Sequence, residues 1–169
     1  MMKRILIVVV AFILSSCAYS FIGQGGRIKG DIKSIYIENV VNETSQPDLQ
    51  VYLKRDLIDV LNLDSRVSLA KSKDLADGFL KVSIVKYDVN PISYAESGLA
   101  IRYRCAISAN VSLIDSKGKK IISSMVVSDF EDYSASDSVS ATEMARDKIS
   151  KDVLKSLAEK IRDSLFVGF

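Results

Sequence analysis

The chain has 169 residues, 48% hydrophobic and 26% charged, with a formal net charge of +2 and neither histidine nor tryptophan. Lacking histidine, it excludes His-based triads, His-ligated zinc and the commonest general base. The near-neutral balance gives no charge signal for a nucleic-acid partner.

Lys3 and Arg4 precede an apolar run from Ile5 to Leu14, followed by Ser15, Ser16 and Cys17. Ten apolar residues are too few for a bilayer core, which takes about 20 helical residues. The layout is instead that of an export leader. Leu14-Ser15-Ser16-Cys17 resembles the lipobox of bacterial lipoproteins. That resemblance implies removal of residues 1–16 as a signal peptide, lipidation of Cys17 and, with Ala18 in place of an aspartate, sorting to the outer membrane. Without Lys3 and Arg4 the remaining 153 residues balance 21 cations against 21 acids. If Cys17 is lipidated, Cys105 has no disulfide partner in the chain.

Residues 17–31 are expected to form the lipidated cysteine and a flexible tether, because Gly23, Gly25, Gly26 and Gly30 fall among few apolar residues. Residues 32–169 are expected to form a single α+β domain. A first strand is predicted over Ile32–Val41, where Ile35, Ile37 and Val41 alternate. Pro47 suits the first turn of a helix, with Ser45 or Gln46 near its cap, and Leu49, Leu53, Leu57, Val60 and Leu61 continue at helical spacing to Asn62. Arg66–Leu69 reads as a brief strand or extended link.

Three longer strands follow. Gly78–Asn90 carries Leu80, Val82 and Ile84 on one face. Over Ala100–Asp115, Ile101, Tyr103, Cys105, Ile107, Ala109, Val111 and Leu113 share one phase, which makes Cys105 a small core residue. The turn around Gly118 joins this strand to Lys119–Asp132 as a hairpin, and Pro91–Gly98 is expected to be the loop before it. Ser140-Ala141-Thr142-Glu143 matches a capping box, so a long helix with Ile149, Val153, Leu154, Leu157, Ile161 and Leu165 on one stripe is predicted from there to just before Gly168. The fold expected is α+β, two helices packed on one face of a roughly four-stranded, mostly antiparallel sheet. Arg102, Arg104, Ser108, Asn110 and Ser112 should line the wetter face.

No Walker loop, Gly-x-Ser-x-Gly elbow or CxxC pair is present, so the sequence assigns no catalytic residue, metal site or cofactor. Asp129, Glu131 and Asp132 lack the glycine-turned spacing of a calcium loop and read as a solvated strand end. The basic residues carry more chemistry. Arg102 and Arg104 point the same way from one strand, and arginine forks suit phosphate. With Lys117, Lys119 and Lys120 at the hairpin they are candidate phosphate contacts, the competing role being protection of exposed strands. Ile92, Tyr94 and Tyr133, on loops, are candidate partner contacts, because exposed aromatic residues often anchor interfaces.

Cys17-Ala18-Tyr19-Ser20-Phe21, Ile35-Tyr36-Ile37, Asn42-Glu43-Thr44, the helix from Asp48, Asp64-Ser65-Arg66-Val67, Ala76-Asp77-Gly78-Phe79-Leu80, Tyr87 and Ser93-Tyr94 occur in this order. Together they resemble the LPS-assembly lipoprotein family, LptE, across nearly the whole chain behind the leader. Ala18 departs from the family's common glycine, and Val40 from its proline or phenylalanine. The resemblance implies a non-enzymatic, periplasm-facing lipoprotein that plugs and stabilises the outer-membrane β-barrel LptD and binds lipopolysaccharide, with the basic residues above meeting its phosphates. Another periplasm-facing lipoprotein, of curli-secretion or cell-wall-synthase-activator type, is the competing reading.

Overall fold

The computed structural model describes residues 26–28, 30, 32–136 and 138–167. Cys17, the expected signal peptide and Gly168 lie outside them. In chain order the elements are strands β1 (Arg27–Ile28), β2 (Ser34–Ile37) and β3 (Val41–Asn42), helix α1 (Leu49–Asn62), strand β4 (Ser68–Leu69), a 3₁₀ turn at Lys73–Leu75, strands β5 (Gly78–Tyr94), β6 (Ala100–Asp115) and β7 (Lys120–Ser134), helix α2 (Val139–Leu165) and strand β8 (Phe166–Val167).

The main sheet has six strands and not four, in the order β4-β2-β5-β6-β7, with β3 also paired to β5. Its long meander is antiparallel, β5 to β6 and β6 to β7, while β2, β3 and β4 join in parallel. The predicted first strand is split. Glu38 N–H still donates to Leu80 O at 3.0 Å and Glu43 N–H to Ile84 O at 2.9 Å, but the chain between them departs from regular pairing. Val40 is buried there and Lys54 Nζ holds the Asn39 side chain at 2.7 Å.

Both helices lie on one side of this sheet. Leu53, Leu57 and Leu61 of α1 and Leu154, Leu157 and Ile161 of α2 share one core with Leu80, Ile84, Cys105, Ile107, Val111 and Leu113, all fully buried. The one-phase reading of β6 holds from Cys105 onward, whereas Ile101 is exposed and Tyr103 half-buried, and Cys105 is a buried free thiol. Burial pushes that thiol's pKa up, although contacts with Ser150 and Tyr87 offset part of the effect.

Four local expectations need correction. Arg27 and Ile28, assigned to the tether, pair with Val167 and Phe166, and Ile28 is buried in the core. The α1 cap is Asp48, in the left-handed region at φ 66° and with no side-chain cap bond, in place of Ser45 or Gln46. The α2 cap is Ser138, two residues before the predicted Ser140: its Oγ accepts from Ala141 N–H at 3.2 Å, and Glu143 pairs forward with Arg146. Finally, β5 runs through Pro91 to Tyr94. β2 and β3 end before that point, so β5 is an edge strand there and Pro91 has no ladder bond to forfeit.

Candidate functional site

The sheet face opposite the helices is polar along its middle. Ser128 Oγ bonds Ser108 Oγ at 2.9 Å and Ser124 Oγ donates to Asn110 Oδ1 at 2.8 Å across β6 and β7. Toward the end of β6 nearest the Ala95–Leu99 turn, this face carries Arg102 and Arg104. Strand alternation puts both on the same side, and the register sets Arg104 opposite Asp132 and Arg102 opposite Ser134.

Arg104 grips Asp132 with two donors, Nε to Oδ1 at 2.7 Å and Nη2 to Oδ2 at 3.1 Å, while its guanidinium lies 4.1 Å from the centre of the Phe130 ring. Arg102 reaches the same carboxylate more loosely, at 3.4 Å. The fork of Arg104 holds the Asp132 carboxyl below its ordinary range, and the carboxylate in turn raises Arg104. Two cations thus share one anion, with Arg102 the freer.

The hairpin lysines do not belong to this group. Lys117, Lys119 and Lys120 follow the opposite end of β6, about 40 Å from Arg104 at ~3.3 Å per residue. One headgroup cannot touch both sets. The acidic residues Asp129, Glu131 and Asp132 also diverge. Asp129 is held by Lys160 of α2 at 2.7 Å on the helix side, and Asp132 belongs to Arg104 on the open side. Burial works to raise Asp129, but Lys160, Ser156 and the Phe130 amide outweigh it and keep the carboxyl low. No group of three or more His, Cys, Asp or Glu side chains among the described residues is placed to hold a metal ion.

Of the expected partner contacts, Ile92 (41% exposed) and Tyr94 (60%) stand at the far end of β5 beside Leu99 (70%) and Ile101 (42%), which together make an apolar tip. Leu99 and Ile101 escaped the sequence reading because the apolar phase of β6 reads as core throughout. The signal available was their position next to the turn glycine, Gly98, beyond the reach of the helices. Tyr133 is a correction: it is only 8% exposed, stacked on Tyr103 with ring centroids 5.5 Å apart, and β7 carries it in core phase. Burial pushes its hydroxyl up to about 12. A second concavity runs between α1 and the β2–β3 edge, where grooves of about 450 and 380 Å³ share Lys54 and Ile58.

These features define a helix-backed sheet domain that leaves one polar, arginine-bearing face and one apolar strand tip open for binding. The family model described as LptE, lipopolysaccharide-assembly, matches residues 32–165, and the chain belongs to that family. No curated protein matches its sequence. Among solved structures the chain is similar to the rare lipoprotein B of Shewanella oneidensis, at TM-score 0.57 and 12% identity over 77% of this chain and 92% of that one. It is also similar to lipoprotein B of Nitrosomonas europaea, at TM-score 0.55 and 16% identity over 81% and 87%. A minor lipoprotein of Acinetobacter baumannii gives TM-score 0.52 and 16% identity over 79% and 92%. At these identities the likenesses establish the fold.

Proposed function

We propose that this protein is an outer-membrane lipoprotein, anchored through Cys17, that plugs and stabilises an LptD-type β-barrel and binds lipopolysaccharide during its assembly at the outer membrane. The observation that carries the reading is the family match over residues 32–165. The solved lipoproteins that share this fold agree with an anchored form. The mechanism is binding without bond making.

The geometry supplies two surfaces for it. The apolar tip at Ile92, Tyr94, Leu99 and Ile101 offers side chains that lose water when a barrel wall closes on them. The Arg102 and Arg104 guanidinia, on the open sheet face near that tip, offer paired donors for lipid A or core phosphates.

In-cell photocrosslinking from positions 92 and 94 tests the partner. Adducts with a large envelope β-barrel are expected. A cell-wall synthase in those adducts, with no barrel, would overturn the reading.

A further inference from the structure

The N-terminal chain leaves the fold beside the β6–β7 hairpin. Ile28 pairs with Phe166, the Cα of Gly30 sits so close to β7 that a Cβ there would lie 2.9 Å from Ile121 Cδ1, and Ser116 N–H donates to Asp77 O at 2.8 Å. Lys117, Lys119 and Lys120 are exposed at this end, and so are Arg27 and Lys33. Among the described residues, two carboxylates interleaved with them are turned to the backbone. Asp115 Oδ1 accepts from the amides of Lys117 (2.9 Å) and Lys119 (2.8 Å), and Asp77 Oδ2 from those of Lys33 (3.1 Å) and Ser34 (2.9 Å). Among the described residues, none of the three hairpin lysines is paired with a carboxylate. The turn that presents them is fixed by Gly118, whose φ of 84° a side chain would strain.

Ten residues separate Cys17 from Arg27, a reach of at most about 35 Å. A lipid on Cys17 therefore confines this lysine-bearing end to the neighbourhood of the bilayer surface. We infer that the β6–β7 hairpin docks on the anionic phospholipid headgroups of the membrane that holds the anchor. The inference rests on the reading of Cys17 as the lipidated residue. Its physical basis is electrostatic: lysines near an anionic surface strengthen binding about fivefold each, a gain that is read most clearly on a protein carrying a single, marginally binding acyl chain. The contact orients the domain. With the hairpin held at the headgroups, the 17-residue β5 sets the apolar tip at the far end of the sheet, about 50 Å from the hairpin at ~3.3 Å per residue.

The chain from Cys17 onward, with one acyl chain coupled through a maleimide to the Cys17 thiol, gives a direct test; Cys105 is fully buried and escapes the reagent. Partition is measured on vesicles of phosphatidylcholine and of phosphatidylcholine with 30% phosphatidylglycerol as stated probe compositions. The anionic vesicles should bind this protein at least about tenfold more tightly, and Lys117→Gln with Lys119→Gln and Lys120→Gln should remove most of that gain, as should high salt. Replacing the exposed Lys86, Lys148 and Lys155 with Gln should leave it in place. Equal binding by the hairpin variant and the parent, or an equal loss from the remote triple variant, would overturn the inference. Because the acyl chain is installed chemically, these results do not depend on the native anchor. The mass of the N-terminal peptide from cell envelopes tests that separately.

Discussion

The open sheet face turns on the competition between Arg102, Arg104 and one carboxylate. Arg102→Glu with Arg104→Glu removes both proposed phosphate donors and should weaken lipopolysaccharide association in a salt-sensitive way, measured on variant protein whose circular dichroism matches the parent; unchanged binding by the folded variant would remove the site. Asp132→Asn is the sharper probe. It releases the fork of Arg104 and should strengthen the same association severalfold, whereas a purely structural Asp132 would give a less stable protein with no gain in binding. Asp56 shows a different economy. It is 6% exposed on the inner face of α1, its Oδ1 bonded to Arg55 and its Oδ2 without a hydrogen-bond partner among the described residues. Leaving a buried polar atom unpaired costs about 1–3 kcal/mol, so Asp56→Leu should raise stability by about 1 kcal/mol in denaturant unfolding, and a loss of that size would contradict the reading.

At the scale of elements, β1 and β8 show how the domain closes on its ends. A chain starting at residue 32 loses the buried Ile28 and its pairing with Phe166, and should be about 2 kcal/mol less stable than one starting at residue 26. Equal stability would return these residues to the tether. The same pair explains what the sequence could and could not reveal. The period-two run of β6 and the leucine spacing of α1 persist long enough to identify themselves. Two-residue strands have no period to read: Arg27–Ile28 and Phe166–Val167 exist because neighbouring backbone happens to pair with them, although the apolar-polar alternation at Arg66–Leu69 did suggest the brief strand at Ser68–Leu69. Pro91 misled for a related reason, since its tolerance depends on where β2 and β3 stop. The α2 cap slipped because two serines, Ser138 and Ser140, both precede the stripe, and only the one whose Oγ reaches an N–H three residues on can cap. Residue spacing placed the arginines on one face, but it did not show that β7 would set Asp132 between them or that β6 would carry the lysines to the other end.

For the molecule as a whole, pH sets a window that follows from its low carboxyls. Asp64, held down by Arg66, and Asp77, held down by Ser34 and the amides of Lys33 and Ser34, have folded-state pKa values below their unfolded ones, as do Asp129 and Asp132. Their contribution to stability is complete above the unfolded carboxyl pKa, near 4, and is lost as pH falls through the lower folded values. Tyr133 acts on the alkaline side: pushed up to about 12, it stabilises the fold fully below about 10, the unfolded tyrosine value, and loses that contribution as pH rises through the folded one. Cys105, its thiol pushed up by burial, begins the alkaline loss before Tyr133, from the unfolded thiol value of about 8.5, so denaturant midpoints should hold level from about pH 5 to 8 and fall on either side. Within that window the domain is a bar with distinct ends, hairpin lysines at one and the Ile92–Ile101 tip at the other, joined by a sheet whose open face carries the arginines. Purification of the intact lipoprotein from mild-detergent envelope extracts, with stained and mass-identified partners, tests whether that bar serves a barrel. Stoichiometric recovery of one large outer-membrane β-barrel is the predicted result, and recovery of the lipoprotein with a cell-wall synthase and no barrel would contradict it.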